Sequence, residues 1–184
     1  DAGADRNIPC GQSCANLTAV PFSAGQTTQY TVNQISYNPP FQYNTGTAII
    51  ANTDDLWSSA INLPFTFCFF GNSYNQLVIG SNGILSFNTA LAGTFCQWTI
   101  NSGLPLVGPA NYTNCIMGPY HDIDPEVISG TYIRYEIGGT APCRYFKIAY
   151  NNVPMYQCNS QRATHMAVLY ETTNAIEVYI QNKP

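Results

Sequence analysis

The chain has 184 residues and a formal net charge of −4, with 9% of residues charged, far below the roughly 25% of an ordinary soluble domain. Its six basic residues are scattered, which excludes nucleic acid as a partner, because phosphate neutralisation needs clustered Lys and Arg. No apolar run of the length of a membrane span occurs, so no transmembrane segment is expected, and any export signal is expected to have been removed or to lie outside this sequence.

Seven cysteines in so weakly charged a chain favour an oxidising compartment and disulfides. Cys10 and Cys14 bracket a short loop, Cys143 and Cys158 flank a strand and its turn, and Cys68 with Cys96 is a third expected pair. Cys115 is then left over. There is no Cys-x-x-Cys, and His121 and His165 are not spaced as zinc ligands.

Residues 1–25 are small, polar and without apolar period, so they read as an irregular Cys-bearing segment packed on one module, residues 26–184. Thr28–Tyr37 alternates apolar and polar, which predicts a half-buried strand stopped by Pro39-Pro40, and Thr47–Ala51 predicts a short second strand. Asn52–Ser58 reads as loop. Residues 61–89 read as a β-meander: strands over Pro64–Phe70, Gln76–Gly80 and Ile84–Phe87, turned by Gly71-Asn72-Ser73 and by Asn82-Gly83. A two-residue Asn-Gly loop needs positive φ at both positions.

Ala90–Asn114 is a long loop of the kind that is functional or disulfide-held, with Cys96 favouring the latter. Further strands are predicted over Ile116–Asp122, Thr131–Ile137, Arg144–Asn151, Thr164–Glu171 and Ala175–Ile180. Each alternates so as to bury one side, with Phe146, Ile148 and Tyr150 opposing Tyr145 and Lys147, and Ile176, Val178 and Ile180 opposing Glu177 and Tyr179. The sum is an all-β fold, an antiparallel β-sandwich of about ten short strands, stabilised by disulfides.

The stretch GPYHDIDP, Gly118–Pro125, concentrates chemistry. Asp122 and Asp124 leave the same face of an extended segment and Glu126 follows, a set that can contribute oxygens to a metal such as Ca²⁺. The competing reading is that Asp124, before Pro125, shapes a turn. No nucleophile and oriented base are recognisable, so an enzyme is not expected, although the same three acids make a metal-assisted hydrolase the second alternative function. Trp57, Trp98 and Tyr120 are candidate ligand contacts for a carbohydrate-binding module, the first alternative; each tryptophan equally suits a plug at one end of the core. Asn16-Leu17-Thr18 and Asn111-Tyr112-Thr113 match the glycosylation sequon.

INLPFTFCFFGNSYNQLVIGSNGILSFNT, IMGPYHDIDP, CRYFKIAYNNVPMYQC and AVLYETTNAIEVYIQNKP together resemble a module of large secreted surface proteins of gliding and related Bacteroidota, which typically end in a type IX secretion sorting domain. The match covers residues 25–184. The strand order is more distantly similar to the nidogen-type extracellular domain. The resemblance implies an exported, secreted or cell-surface module of an adhesin, structural or adhesive and non-catalytic, with a protein or glycan partner. In that family the chain continues past QNKP into another cysteine and further strands. The resemblance therefore implies that the last strand is missing after Pro184, with a partner for the odd cysteine beyond it, and that an open sheet edge is filled by strand addition from another chain or from residues beyond 184.

Overall fold

The computed structural model describes residues 27–50, 53–99, 103–104, 112–127 and 132–184. Cys10, Cys14, Asn16 and Asn111, together with the segment expected over 1–25, lie outside them. The described residues form two antiparallel sheets and one short 3₁₀ turn, Thr89–Leu91. The strands are β1 Thr47–Ala48, β2 Ile61–Phe69, β3 Asn72–Gly80, β4 Ile84–Ser86, β5 Cys115–Met117, β6 Ile133–Gly138, β7 Tyr145–Met155, β8 Cys158–Tyr170 and β9 Ile176–Asn182. Five of them pair in the order β1-β6-β7-β8-β9 and four in the order β2-β3-β4-β5. The fold is the expected β-sandwich.

Alternation in the sequence sets the inner faces. Phe67, Leu77, Ile79 and Leu85 from one sheet meet Ile133, Phe146, Ile148 and Leu169 from the other in a single core. Burying each such side chain contributes roughly 1.5–3 kcal/mol. Phe67, Phe69 and Tyr74 surround Phe87, with ring centroids 5.7, 5.1 and 4.4 Å away. One corner is also stitched by polar contacts. Asn174, at positive φ between β8 and β9, accepts the Cys68 N–H of β2 at 2.8 Å, and Tyr30 donates to the Cys68 carbonyl at 2.9 Å.

Burial departs from the one-sided expectation on the larger sheet. Lys147 is fully buried on the outer face, beside Ala149, Met166, Val168 and Tyr179, because Phe41 and Tyr43 fold across it. Its ammonium donates to the Gln42 and Thr45 carbonyls at 2.9 and 3.1 Å and pairs with Glu136 at 2.9 Å. These partners offset the desolvation of a buried charge. On β9 the pattern runs out in the other direction: Tyr179 is buried, and Ile180, expected inside, is 48% exposed.

The strand expected over Thr28–Tyr37 does not form. Period two is present, but this stretch pairs with no strand edge, and Val32 is 99% exposed. β5 is shorter than predicted because Gly118-Pro119 follows it, and proline cannot donate to a ladder. Of the expected disulfides, neither Cys68–Cys96 nor Cys143–Cys158 is formed among the described residues. Cys143 and Cys158 stand at opposite ends of the eleven-residue β7, roughly 35 Å apart at about 3.3 Å per residue, where a disulfide needs Cα atoms within about 7 Å. Cys68 pairs with Ser73 near the start of β3. The Cys96 sulfur fills the space beside Gly80 at its far end, roughly 20 Å away.

Candidate functional site

Gly80 and Ile84 are paired across β3 and β4, so Ser81-Asn82-Gly83 is a three-residue connection. Gly83 alone of the three takes positive φ, at 83°, as three-residue hairpin loops require of one residue. The two-residue Asn-Gly turn expected from sequence is thus replaced by a longer loop that sends the Asn82 side chain inward.

Asn82 is fully buried and acts as a hub. Its Nδ2 donates to Asp55 Oδ1 at 2.9 Å and to the Cys96 carbonyl at 3.1 Å, and its Oδ1 accepts the Ile123 N–H at 3.2 Å. The Asn82 carbonyl accepts from His121 N–H at 3.2 Å. Ser81 Oγ accepts the Leu56 N–H at 3.1 Å. Three segments distant in sequence, around residues 55, 96 and 122, are therefore held at one end of the sandwich.

Of the expected ligand contacts, Trp57 is 2% exposed and packs with Val78, Ile84, Cys96 and Tyr112. It plugs the core and is not available to a ligand. Tyr120 is half-buried, donates to the Gln97 carbonyl at 2.6 Å and shares a 2.6 Å hydrogen bond with Tyr112, so its hydroxyl serves the loop itself. Burial pushes its pKa well up. Trp98 is 40% exposed and meets Phe95 edge to face at 5.6 Å. Phe95, unremarked in the sequence, is 57% exposed and is placed by its bridge to Leu56.

The acids gather differently from the expected set. Asp124 Oδ1 accepts the N–H groups of Glu126 and Val127 at 2.9 and 3.3 Å, capping its own turn, and Glu126 is exposed. Asp54 and Asp55 approach Asp122 and Asp124 instead. Burial first, then the neighbouring Asp55, raise the Asp54 pKa to about 7, with smaller contributions from Asp124 and Asp122. Burial also raises Asp122, with Asp55 and Asp124 adding to it. Among the described residues no three His, Cys, Asp or Glu side chains come together in a way that could hold a metal ion. The expected trio is thus drawn apart, with Asp124 engaged in its own turn and Glu126 turned to solvent.

Beside this cluster the rings of His121 and His165 lie 5.8 Å apart, and His165 stacks on Tyr150 at 4.5 Å. Both Nε2 atoms are buried without a hydrogen-bond partner among the described residues. Burial, and then His121 and Lys183, lower the His165 pKa to about 3; burial lowers His121 as well.

A second feature lies where the two sheets open. The edge strands β5 and β9 face one another across a groove of about 450 Å³, lined by Ile116 and Met117, by Ile176 and Val178, and by Phe69, Phe70 and the 30–35 stretch. Glu177 is its only carboxylate or cation among the described residues. That carboxylate accepts the hydroxyls of Tyr170 and Tyr179.

No curated protein and no solved structure matches the chain. Residues 29–184 match the family model described as NIDO related, which supports a nidogen-like extracellular domain, and the chain belongs to this nidogen-related family.

Proposed function

We propose that the chain is a non-catalytic structural and adhesive module of an exported cell-surface protein, which grips a protein partner by accepting an extended strand between β5 and β9. The observation that carries this reading is the groove itself. Its walls come from the edge strands of the two sheets, and the apolar period of β9 continues to Ile180, which is 48% exposed. Among the described residues no strand pairs with the outer edges of β5 and β9; such an edge offers N–H and C=O groups to an added strand, and an apolar trough accepts every second side chain of it. Val32 and Ile35, which line the groove and are exposed by 99% and 46%, add to its apolar surface. The resemblance to Bacteroidota adhesins supports export by type IX secretion and a position on the cell surface.

The test uses ten-residue neutral peptides with an apolar residue at alternate positions, followed by amide hydrogen exchange. Binding is expected to protect backbone amides on the outer edges of β5 and β9 and to be abolished by Val178→Glu. Protection elsewhere, or binding indifferent to that substitution, would overturn the reading. So would turnover of a substrate by the isolated module.

A further inference from the structure

We propose that the solvent side of the β2–β3 pair carries a binding subsite for a neutral glycan, separate from the strand-accepting groove. Its origin is a break in the ladder. Asn62 pairs with Gln76 and Phe67 with Tyr74, so four residues of β2 oppose the single Asn75 of β3. Pro64 lies within those four and has no N–H to donate, which makes a bulge the natural outcome.

Beside the bulge lies a shallow cavity of about 460 Å³, lined by Asn62, Asn75, Gln76, Tyr74, Phe87 and Thr89 with Ser73. That lies within the roughly 300–1,000 Å³ of small-ligand pockets. Tyr74, half-buried and backed by the core residue Phe87 at 4.4 Å, is the aromatic ring at its border.

The rim is made of carboxamides and hydroxyls, and each amide is already oriented. Gln76 Nε2 donates to Asn62 Oδ1 at 2.8 Å, and Thr66 Oγ1 donates to Asn75 Oδ1 at 2.9 Å. An amide side chain carries two donors and two acceptor lone pairs, so one fixed bond leaves further donors and acceptors aimed outward from exposed residues. A sugar ring presents hydroxyls that both donate and accept, beside a C–H face that packs on aromatic carbon. Preorganised amides beside the Tyr74 ring match that combination. No Asp, Glu, Lys or Arg lines the cavity among the described residues, so an anionic glycan or a phosphate finds no counter-charge here. This points to uncharged sugars.

The experiment is a glycan array that holds neutral and anionic members, probed with the full chain, followed by titration of each hit against variants. Neutral glycans are expected to bind. Asn62→Ala with Gln76→Ala is expected to weaken them at least about tenfold, as loss of one or two well-placed hydrogen bonds would. Both residues are exposed, so the fold should persist, and an unchanged Tm checks it. Asn75→Asp is a second variant, introducing a charge at the rim. Side-chain amide resonances of Asn62, Asn75 and Gln76 should shift on titration. Binding of anionic glycans alone, hits unaffected by both variants, hits abolished by Trp98→Ala, or no hit at all would each overturn the proposal. Val178→Glu separates the two sites: it should abolish peptide binding and leave glycan binding intact.

Discussion

The Asn82 carboxamide joins Asp55 and Ile123 through one side chain, donating to the first at 2.9 Å and accepting from the second at 3.2 Å. An alanine there leaves the buried Ile123 N–H and the Cys96 carbonyl without that partner. Orphaned buried polar groups cost about 1–3 kcal/mol each, so Asn82→Ala is expected to lower unfolding free energy by about 3 kcal/mol with an unchanged denaturant slope. A loss under about 1 kcal/mol in urea titration would remove Asn82 from its place as hub.

Gly83 is constrained twice over. Its φ is 83°, and a Cβ at that position would stand 2.5 Å from the Pro119 carbonyl oxygen and 3.3 Å from the His165 ring. Gly83→Val therefore meets both backbone strain and a fixed neighbour, and is expected to cost at least about 2 kcal/mol. Thermal melting beside the wild type checks it; Gly93→Val shares the backbone strain, with φ at 71°, but meets no described atom within 4 Å, so the difference between the two variants reads the clash.

Much of the fold was legible before any coordinates. Phe146, Ile148 and Tyr150 sit on the core face as their alternation demands, since period two reports burial wherever one side of a strand meets another layer. What period cannot report is which strand finds an edge. The 28–37 stretch alternates as well as β6 does and pairs with nothing. Nor does it report a covered outer face: Lys147 reads as solvent-facing until Phe41 and Tyr43 are seen across it. The Asn82-Gly83 turn and the Asp122 cluster were both conspicuous in the sequence, but their meeting depends on contacts over about forty residues, beyond any local pattern. The amide rim of β2–β3 was missed because it exists only once Pro64 has broken the ladder. A proline inside a strand run was the signal that could have found it.

Acid should act through His165. Its pKa is near 3 in the fold against 6.5 unfolded, so between those values the unfolded chain binds the proton and the folded one does not. The stability contributed is present above pH 6.5 and lost as pH falls toward 3, by up to about 1.4 kcal/mol per unit. The groups facing the ring are Tyr150, His121 and Lys183. His165→Phe keeps an aromatic ring on Tyr150 and removes the titration. The variant is expected to lose less stability than the wild type between pH 6.5 and 4; parallel curves would discard the mechanism.

Asp54 works with the opposite sign. Its carboxyl is raised from 3.8 to about 7, so over that range the folded chain holds a proton that the unfolded chain has released. Stability from this site is therefore greatest below pH 4 and declines as pH rises through 7. Asp54→Asn cannot lose a proton and is expected to melt higher than the wild type at pH 8, with the gap closing at pH 4. A variant that melts lower at pH 8 contradicts the crowding of carboxylates described above.

Thiol chemistry should follow burial. Cys143 and Cys158 are exposed, whereas Cys68 and Cys96 are buried, and burial pushes the Cys96 thiol up to about 12. A maleimide is expected to label Cys143 and Cys158 in the native protein within minutes, and Cys68 and Cys96 only after unfolding. Peptide mass mapping reads the sites directly; a Cys143–Cys158 disulfide in the mapped peptides would refute the separation of the two ends of β7.

The stitch from Asn174 to Cys68 has a consequence for how the two layers come apart. A contact made by a carboxamide breaks and re-forms without covalent chemistry, because water can take the place of either partner and leave again. The sandwich thus owns a reversible seam at the tip of the β8–β9 hairpin, close to the groove between its edges.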